Sequence, residues 1–151
     1  YVGSNPSAGR GFLDDEAVAF VSDEAQTELS GDPITSAGDS DGDGYDDLIV
    51  SNYSADPVYQ SEGTTYIFRG PLVGEIDVFF ADATILGEAQ NDCLGWSATN
   101  AGDADGDGRD DLLVGARGGD RYGSDSGTVA LFTAPSGEYL LSEATARFDG
   151  R

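Results

Sequence analysis

The sequence predicts an all-β protein assembled from repeated four-stranded units. Three observations carry that expectation. Gly31–Pro71 lies on Gly95–Pro135 without a gap, so the chain matches itself at an offset of 64 residues. Fixed-period similarity of this kind is the mark of a repeat architecture. Within each copy the apolar residues fall in short runs bounded by Asp and Gly, as buried strands do. No stretch combines a 3.6-residue apolar period with helix caps.

The elements follow in order. "PITSAGD" and "SATNAGD" are small-residue, β-compatible segments that end at an acidic loop. "DLIVS" and "DLLVG" are continuous apolar runs suited to a buried second strand. "TTYIF" and "TVALF" carry β-favouring side chains on both faces and form the third. "ATILGEA" (Ala83–Ala89) is read as the fourth, with "ATARFDG" as its counterpart near the C-terminus. Four short strands joined by turns is the form of a propeller blade. Upstream, "YVGSNPSAG" resembles "LVGARGGD", and "EAVAFV" (Glu16–Val21) is aligned with the third-strand segment "GTVALF". "FLDDEAVAFVSDEAQTEL" is therefore read as strands rather than helix. The expected division is 1–29 as the C-terminal strands of a preceding blade, then repeats at 30–89 and 90–151. About two and a half blades result, a fraction of the roughly 4–8 that close a propeller. Excision from a longer protein is the expectation, with self-association through open blade edges as its consequence.

Composition narrows the function classes. The chain has 151 residues, a formal net charge of −22, and no His or Met. All its basic residues are Arg. Such one-signed charge disfavours phosphate neutralisation, so nucleic acid is not an expected partner. No apolar run approaches the roughly 20 residues of a membrane-spanning helix. Cys93 stands alone, which excludes an internal disulfide, and is read as a small buried thiol. There is no His for general base work, Cys93 lacks a His partner, and no Ser sits in a nucleophile-elbow context. The expectation is a non-catalytic protein.

The acidic residues are concentrated. Ten of the 29 lie in "AGDSDGDGYDDLIV" (Ala37–Val50) and "AGDADGDGRDDLLV" (Ala101–Val114). Asp39, Asp41, Asp43, the backbone carbonyl of Tyr45, and Asp47 occupy positions 1, 3, 5, 7 and 9 of the first loop. Asp103, Asp105, Asp107, the carbonyl of Arg109, and Asp111 are their equivalents. In a tightly curled segment alternate side chains turn toward one centre, and the intervening glycines supply positive φ. Carboxylates brought so close repel by about 1–4 kcal/mol per pair. The side chains of Tyr45 and Arg109 are expected to give no relief, Arg109 contributing its carbonyl alone. A hard divalent cation gives that relief. An all-oxygen donor set at this density suits Ca²⁺, with 6–8 oxygens in flexible geometry, better than the stricter Mg²⁺. Two Ca²⁺ sites are expected, at loops 39–47 and 103–111. An EF-hand is excluded, because position 12 holds Val50 or Val114 where that motif needs a bidentate Glu. Asp46 and Asp110, at position 8, are expected to face solvent.

At these residues the sequence resembles the FG-GAP repeats of the integrin α-subunit β-propeller. The relevant stretches are "SGDPITSAGDSDGDGYDDLIVSN" and "LGWSATNAGDADGDGRDDLLVGA", with Ser30-Gly31 and Leu94-Gly95 in place of Phe-Gly. The resemblance implies a calcium loop between the first two strands of each blade, with the ligands at the positions derived from spacing. It also implies an extracellular or cell-surface protein that binds protein partners or takes part in adhesion. Two alternatives belong to other classes. The first is a carbohydrate-binding propeller, with Trp96, Tyr45, Tyr53, Tyr59 and Tyr122 as stacking candidates, although Trp96 is better read as core because it follows Gly95. The second is a set of accessory blades of a larger secreted enzyme. There Asp14 and Asp15 could be imagined as glycosidase carboxylates, but adjacent residues point apart.

Overall fold

The computed structural model describes residues 19–22 (backbone only), 33–58, 60–119 and 126–150. Two propeller-type blades account for most of them. The first is built from β2 (Ile34–Gly38), β3 (Asp47–Asn52), β4 (Thr64–Phe68) and β6 (Ala83–Leu86). These pair antiparallel as a meander. The second repeats the plan with β7 (Leu94–Gly102), β8 (Asp111–Ala116), β9 (Thr128–Phe132) and β11 (Ala146–Asp149). Apart from two 3-10 turns, Val78–Phe80 and Leu141–Glu143, the described residues form no helix. The all-β expectation holds.

One feature of each blade went unread in the sequence. Between its third and fourth strands lies a short extra strand, β5 (Gly74–Asp77) or β10 (Gly137–Leu140), followed by the 3-10 turn. For the second blade that extra strand is partnered by the outer strand of the first. There β10 pairs parallel with β6, and β5 pairs parallel with β1 (Ala19–Ser22). The register Ala19↔Gly74 matches Ala83↔Gly137. Residues 19–22 therefore occupy the fourth-strand position, and the alignment of "EAVAFV" with the third strand is corrected. Alternating apolar residues fit either strand, so only the pairing separates them.

The blades pack face to face. Ile49, Ile67, Ala83 and Ile85 from the first meet Leu112, Val114, Ala130 and Phe132 from the second in one cluster, all at 2 % exposure or less. Successive residues of β3 serve different cores: Ile49 faces the second blade, while Val50 joins Phe68 and Val78 on the other side. A strand covered on both faces reads as a continuous apolar run, which explains "DLIVS"; "DLLVG" repeats the pattern with one face covered. The far face of the second blade carries the counterparts of Ile49, Ile67 and Ile85. They are Leu113 and Leu131, half-buried, and Phe148, 63 % exposed. Beside them is an open hollow of about 400 Å³ lined in part by Trp96, Arg117, Val129 and Phe148.

Trp96 is not core. Leu94 and Gly95 are buried against the first blade, but the β7–β8 register shifts between Leu94 and Ser97, and Trp96 emerges 47 % exposed. Tyr53 meets its edge at 4.8 Å and the Arg117 guanidinium lies 4.7 Å above its ring. Cys93 is half-buried, with a left-handed φ of 51°. Asp14, Asp15, Tyr59 and Tyr122 lie outside the described residues.

Candidate metal centre

The acidic loops join β2 to β3 and β7 to β8, so each is a hairpin connection flanked by strands. Val50 and Val114 lie within those strands, as the exclusion of an EF-hand requires.

Each loop is wound around its first aspartate. Asp39 Oδ1 accepts from the amides of Gly42 (2.8 Å) and Asp43 (2.9 Å), and Oδ2 from Gly44 (3.0 Å). Asp103 accepts in the same pattern from Gly106 (2.7 Å), Asp107 (2.9 Å) and Gly108 (3.0 Å). Asp41 and Asp105 each accept from the amide two residues on, as do Asp43 and Asp107. Amides converge this way because the glycines at loop positions 4 and 6 take positive φ: Gly42 at 82°, Gly44 at 92°, Gly106 at 82°, Gly108 at 88°. A side chain strains that backbone.

The winding gathers carboxylates. In the first loop, one oxygen each from Asp39, Asp41 and Asp43 lie within 4.8 Å of one another. In the second the trio is Asp103, Asp105 and Asp111. Asp47 and Asp107 are held aside, for different reasons. Asp47 is buried and saturated: its Oδ2 accepts from the Ser40 amide (3.0 Å) and hydroxyl, and its Oδ1 from the Gly70 amide (2.8 Å). Asp107 is drawn outward by Arg109, whose Nε donates to it at 3.0 Å and whose Nη2 forms an ion pair with it. This corrects the expectation that the Arg109 side chain stays out of the loop. The bond to Arg109 lowers the Asp107 carboxyl below its ordinary value, and Asp107 raises the guanidinium in return. The first loop has its own cation nearby, with Arg69 Nε 3.5 Å from Asp41. Crowded carboxylates recruit whatever positive charge is in reach.

Asp111 differs from every other member. It is 0 % exposed, its Oδ2 accepts from the Ala104 amide at 2.8 Å, and its Oδ1 has no hydrogen-bond partner. A buried, unpartnered carboxylate oxygen is costly. The residue that carries it belongs to the Asp103–Asp105 nest. The residues present therefore fit a hard cation: all donors are oxygen, they converge, and one needs a partner.

Asp110 does not face solvent. Its Oδ2 accepts from the Asp39 amide (3.1 Å) and from Asn100 Nδ2 (3.0 Å), and its own amide donates to the Asp39 carbonyl (2.9 Å). The second loop is thus bonded to the start of the first. Asp46, the equivalent residue, is exposed as expected. The repeated "DD" hid this difference, because Asp110 meets its partners only when the two blades are stacked.

Hairpin-borne acidic nests on stacked four-stranded blades define a propeller-type repeat protein. A family model, the FG-GAP repeat, matches residues 33–68 and 94–132. The chain belongs to the FG-GAP repeat family, of integrin α-like type. Repeats of this family commonly bind Ca²⁺, are generally structural, and typically occur in extracellular or cell-surface proteins. No curated protein matches the chain. Among the described residues no helix is long and apolar enough to cross a membrane.

Proposed function

We propose that the chain is a calcium-stabilised, non-catalytic interaction module of an extracellular or cell-surface protein. One Ca²⁺ would be held by Asp39, Asp41, Asp43, the Tyr45 carbonyl and Asp47. A second would be held by Asp103, Asp105, Asp107, the Arg109 carbonyl and Asp111. The observation that carries this reading is the buried Asp111, a member of the second nest whose Oδ1 has no hydrogen-bond partner. When bound, the ion supplies the positive charge that the crowded carboxylates lack. The chain's own residues wind the loop, orient the oxygens and join adjacent strands. Affinities of about 10⁻⁴–10⁻³ M, usual for extracellular modules, would keep such sites filled outside a cell. The repeats 30–89 and 90–151, following the partial blade 1–29, would then present their faces and remaining loops to a protein ligand. The open Leu113–Leu131–Phe148 face offers a route to self-association.

A thermal melt with Ca²⁺, Mg²⁺ or chelator tests the reading. At a free Ca²⁺ concentration of 100 times Kd, each independent site adds about 2.7 kcal/mol. Asp41→Ala and Asp105→Ala should each remove part of the Ca²⁺-dependent rise. A melt indifferent to Ca²⁺ would contradict it.

A glycan ligand is the second reading, favoured by the exposed Trp96 beside the 400 Å³ hollow. Specific retention on a glycan array, lost in Trp96→Ala, would establish it over the first.

A further inference from the structure

We infer that Asp110 is a positioning residue that couples the two calcium sites, so that occupancy of the second loop strengthens binding at the first. The inference rests on the calcium reading above. Asp110 belongs to the second loop by sequence, yet two of its hydrogen bonds reach the first. Its Oδ2 and its amide clasp the two sides of Asp39, at the amide nitrogen and the carbonyl oxygen. Asp39 is the residue around which the whole first loop winds, and a member of its nest. Asp110 is also covalently joined to Asp111, the buried member of the second nest. Fixing Asp111 on an ion fixes the peptide that carries Asp110, and with it the frame of Asp39.

Two neighbours support this clasp. Asn100 Nδ2 donates to the same Asp110 oxygen at 3.0 Å, while Asn100 Oδ1 accepts from the Gly102 amide. Gly38 leaves room for it, since a Cβ there would run into Asp110 Oδ2 and Asn100 Nδ2. Gly102, the counterpart of Gly38 with the same φ of 69°, has nothing within 4 Å. The clasp thus belongs to the junction between blades and not to the loop motif. Coupling of this kind is reciprocal, so the first site must strengthen the second by the same factor.

The test follows Tb³⁺ at the first loop by luminescence sensitised through Tyr45; the second loop has Arg109 at that position. Tyr45→Phe should abolish the signal and so confirms its source. Calorimetry with Ca²⁺ counts the sites. Asp105→Asn, which disables the second site, should raise the Kd of the first by at least about fivefold. In an Asp110→Ala background the same change should shift it by less than about twofold. Asp110→Asn, which keeps an oxygen acceptor, should retain the coupling. If Asp110→Ala does not fold, Asn100→Ala takes its place and should at least halve the Asp105→Asn effect. A merely structural Asp110 would weaken the first site without altering its response to Asp105→Asn. That outcome, or two independent sites in the unmodified chain, overturns the coupling and leaves the calcium reading intact. No Ca²⁺ uptake at either loop overturns both.

Discussion

The two acidic loops share a motif and a winding pattern, yet they solve the same electrostatic problem differently. The first is supported by protein donors. Ser40 and Gly70 satisfy both oxygens of Asp47, Arg69 stands beside Asp41, and Asp110 clasps Asp39. The second has fewer supports. Ala104 replaces the Ser40 hydroxyl, Arg109 occupies Asp107 at the surface, and Asp111 Oδ1 is left alone in the interior. The difference teaches that ligand spacing fixes a site's shape, while residues outside the motif decide how much the loop needs an ion. By this account a cation stabilises the second loop more than the first.

The largest expected effect separates Gly38 from Gly102. Both hold φ at 69°. Gly102→Ala meets open space and should cost about 1–2 kcal/mol for the left-handed backbone alone. Gly38→Ala also breaks the Asp110 clasp and should cost about 2–4 kcal/mol. Chemical denaturation of the two variants decides it; equal losses would remove the clasp from the account.

The next contrast is one of sign. In chelator, Asp47→Asn turns one of two hydrogen-bonded oxygens into an NH2 that faces a donor, and should destabilise by about 1–3 kcal/mol. Asp111→Asn removes a buried charge of which one oxygen has no partner, keeps an oxygen for the Ala104 amide, and should be neutral or stabilising under the same conditions. With Ca²⁺ present both should lose stability. Two variants of the same sign in chelator would mean that the loops are equivalent.

The smallest effect concerns Arg109. Arg109→Tyr makes the second loop resemble the first and frees Asp107. Calorimetry should find Ca²⁺ bound more tightly there by about fivefold at most, the limit for an exposed ion pair. Weaker binding would mean that Arg109 assists the site.

Much of this was legible in the sequence. The 64-residue repeat, the continuous apolar runs of β3 and β8 and the alternating glycines follow from local chemistry, and the structure bears them out. The extra strands β5 and β10 went unread although "GEIDVFFADATI" and "GEYLLSEATARF" correspond. Their offset slips to 63, and each pairs with a strand outside its own blade. Trp96, read as core from its place after Gly95, is exposed because the β7–β8 register shifts there. Asp110 and Arg69 were invisible as site residues for another reason. Their roles arise between elements, where Arg69 Nη2 also reaches the Pro135 carbonyl at 3.3 Å. Spacing within one loop carries no information about the neighbour that will be stacked on it.

Whether both carboxylate nests hold a hard cation is decided by a crystal grown in calcium. An anomalous peak is expected in each loop, with Asp47 and Asp107 swung in to join the nests and Asp111 Oδ1 on the ion. Well-ordered loops containing only water, with Asp111 Oδ1 still unpartnered, would contradict the calcium reading.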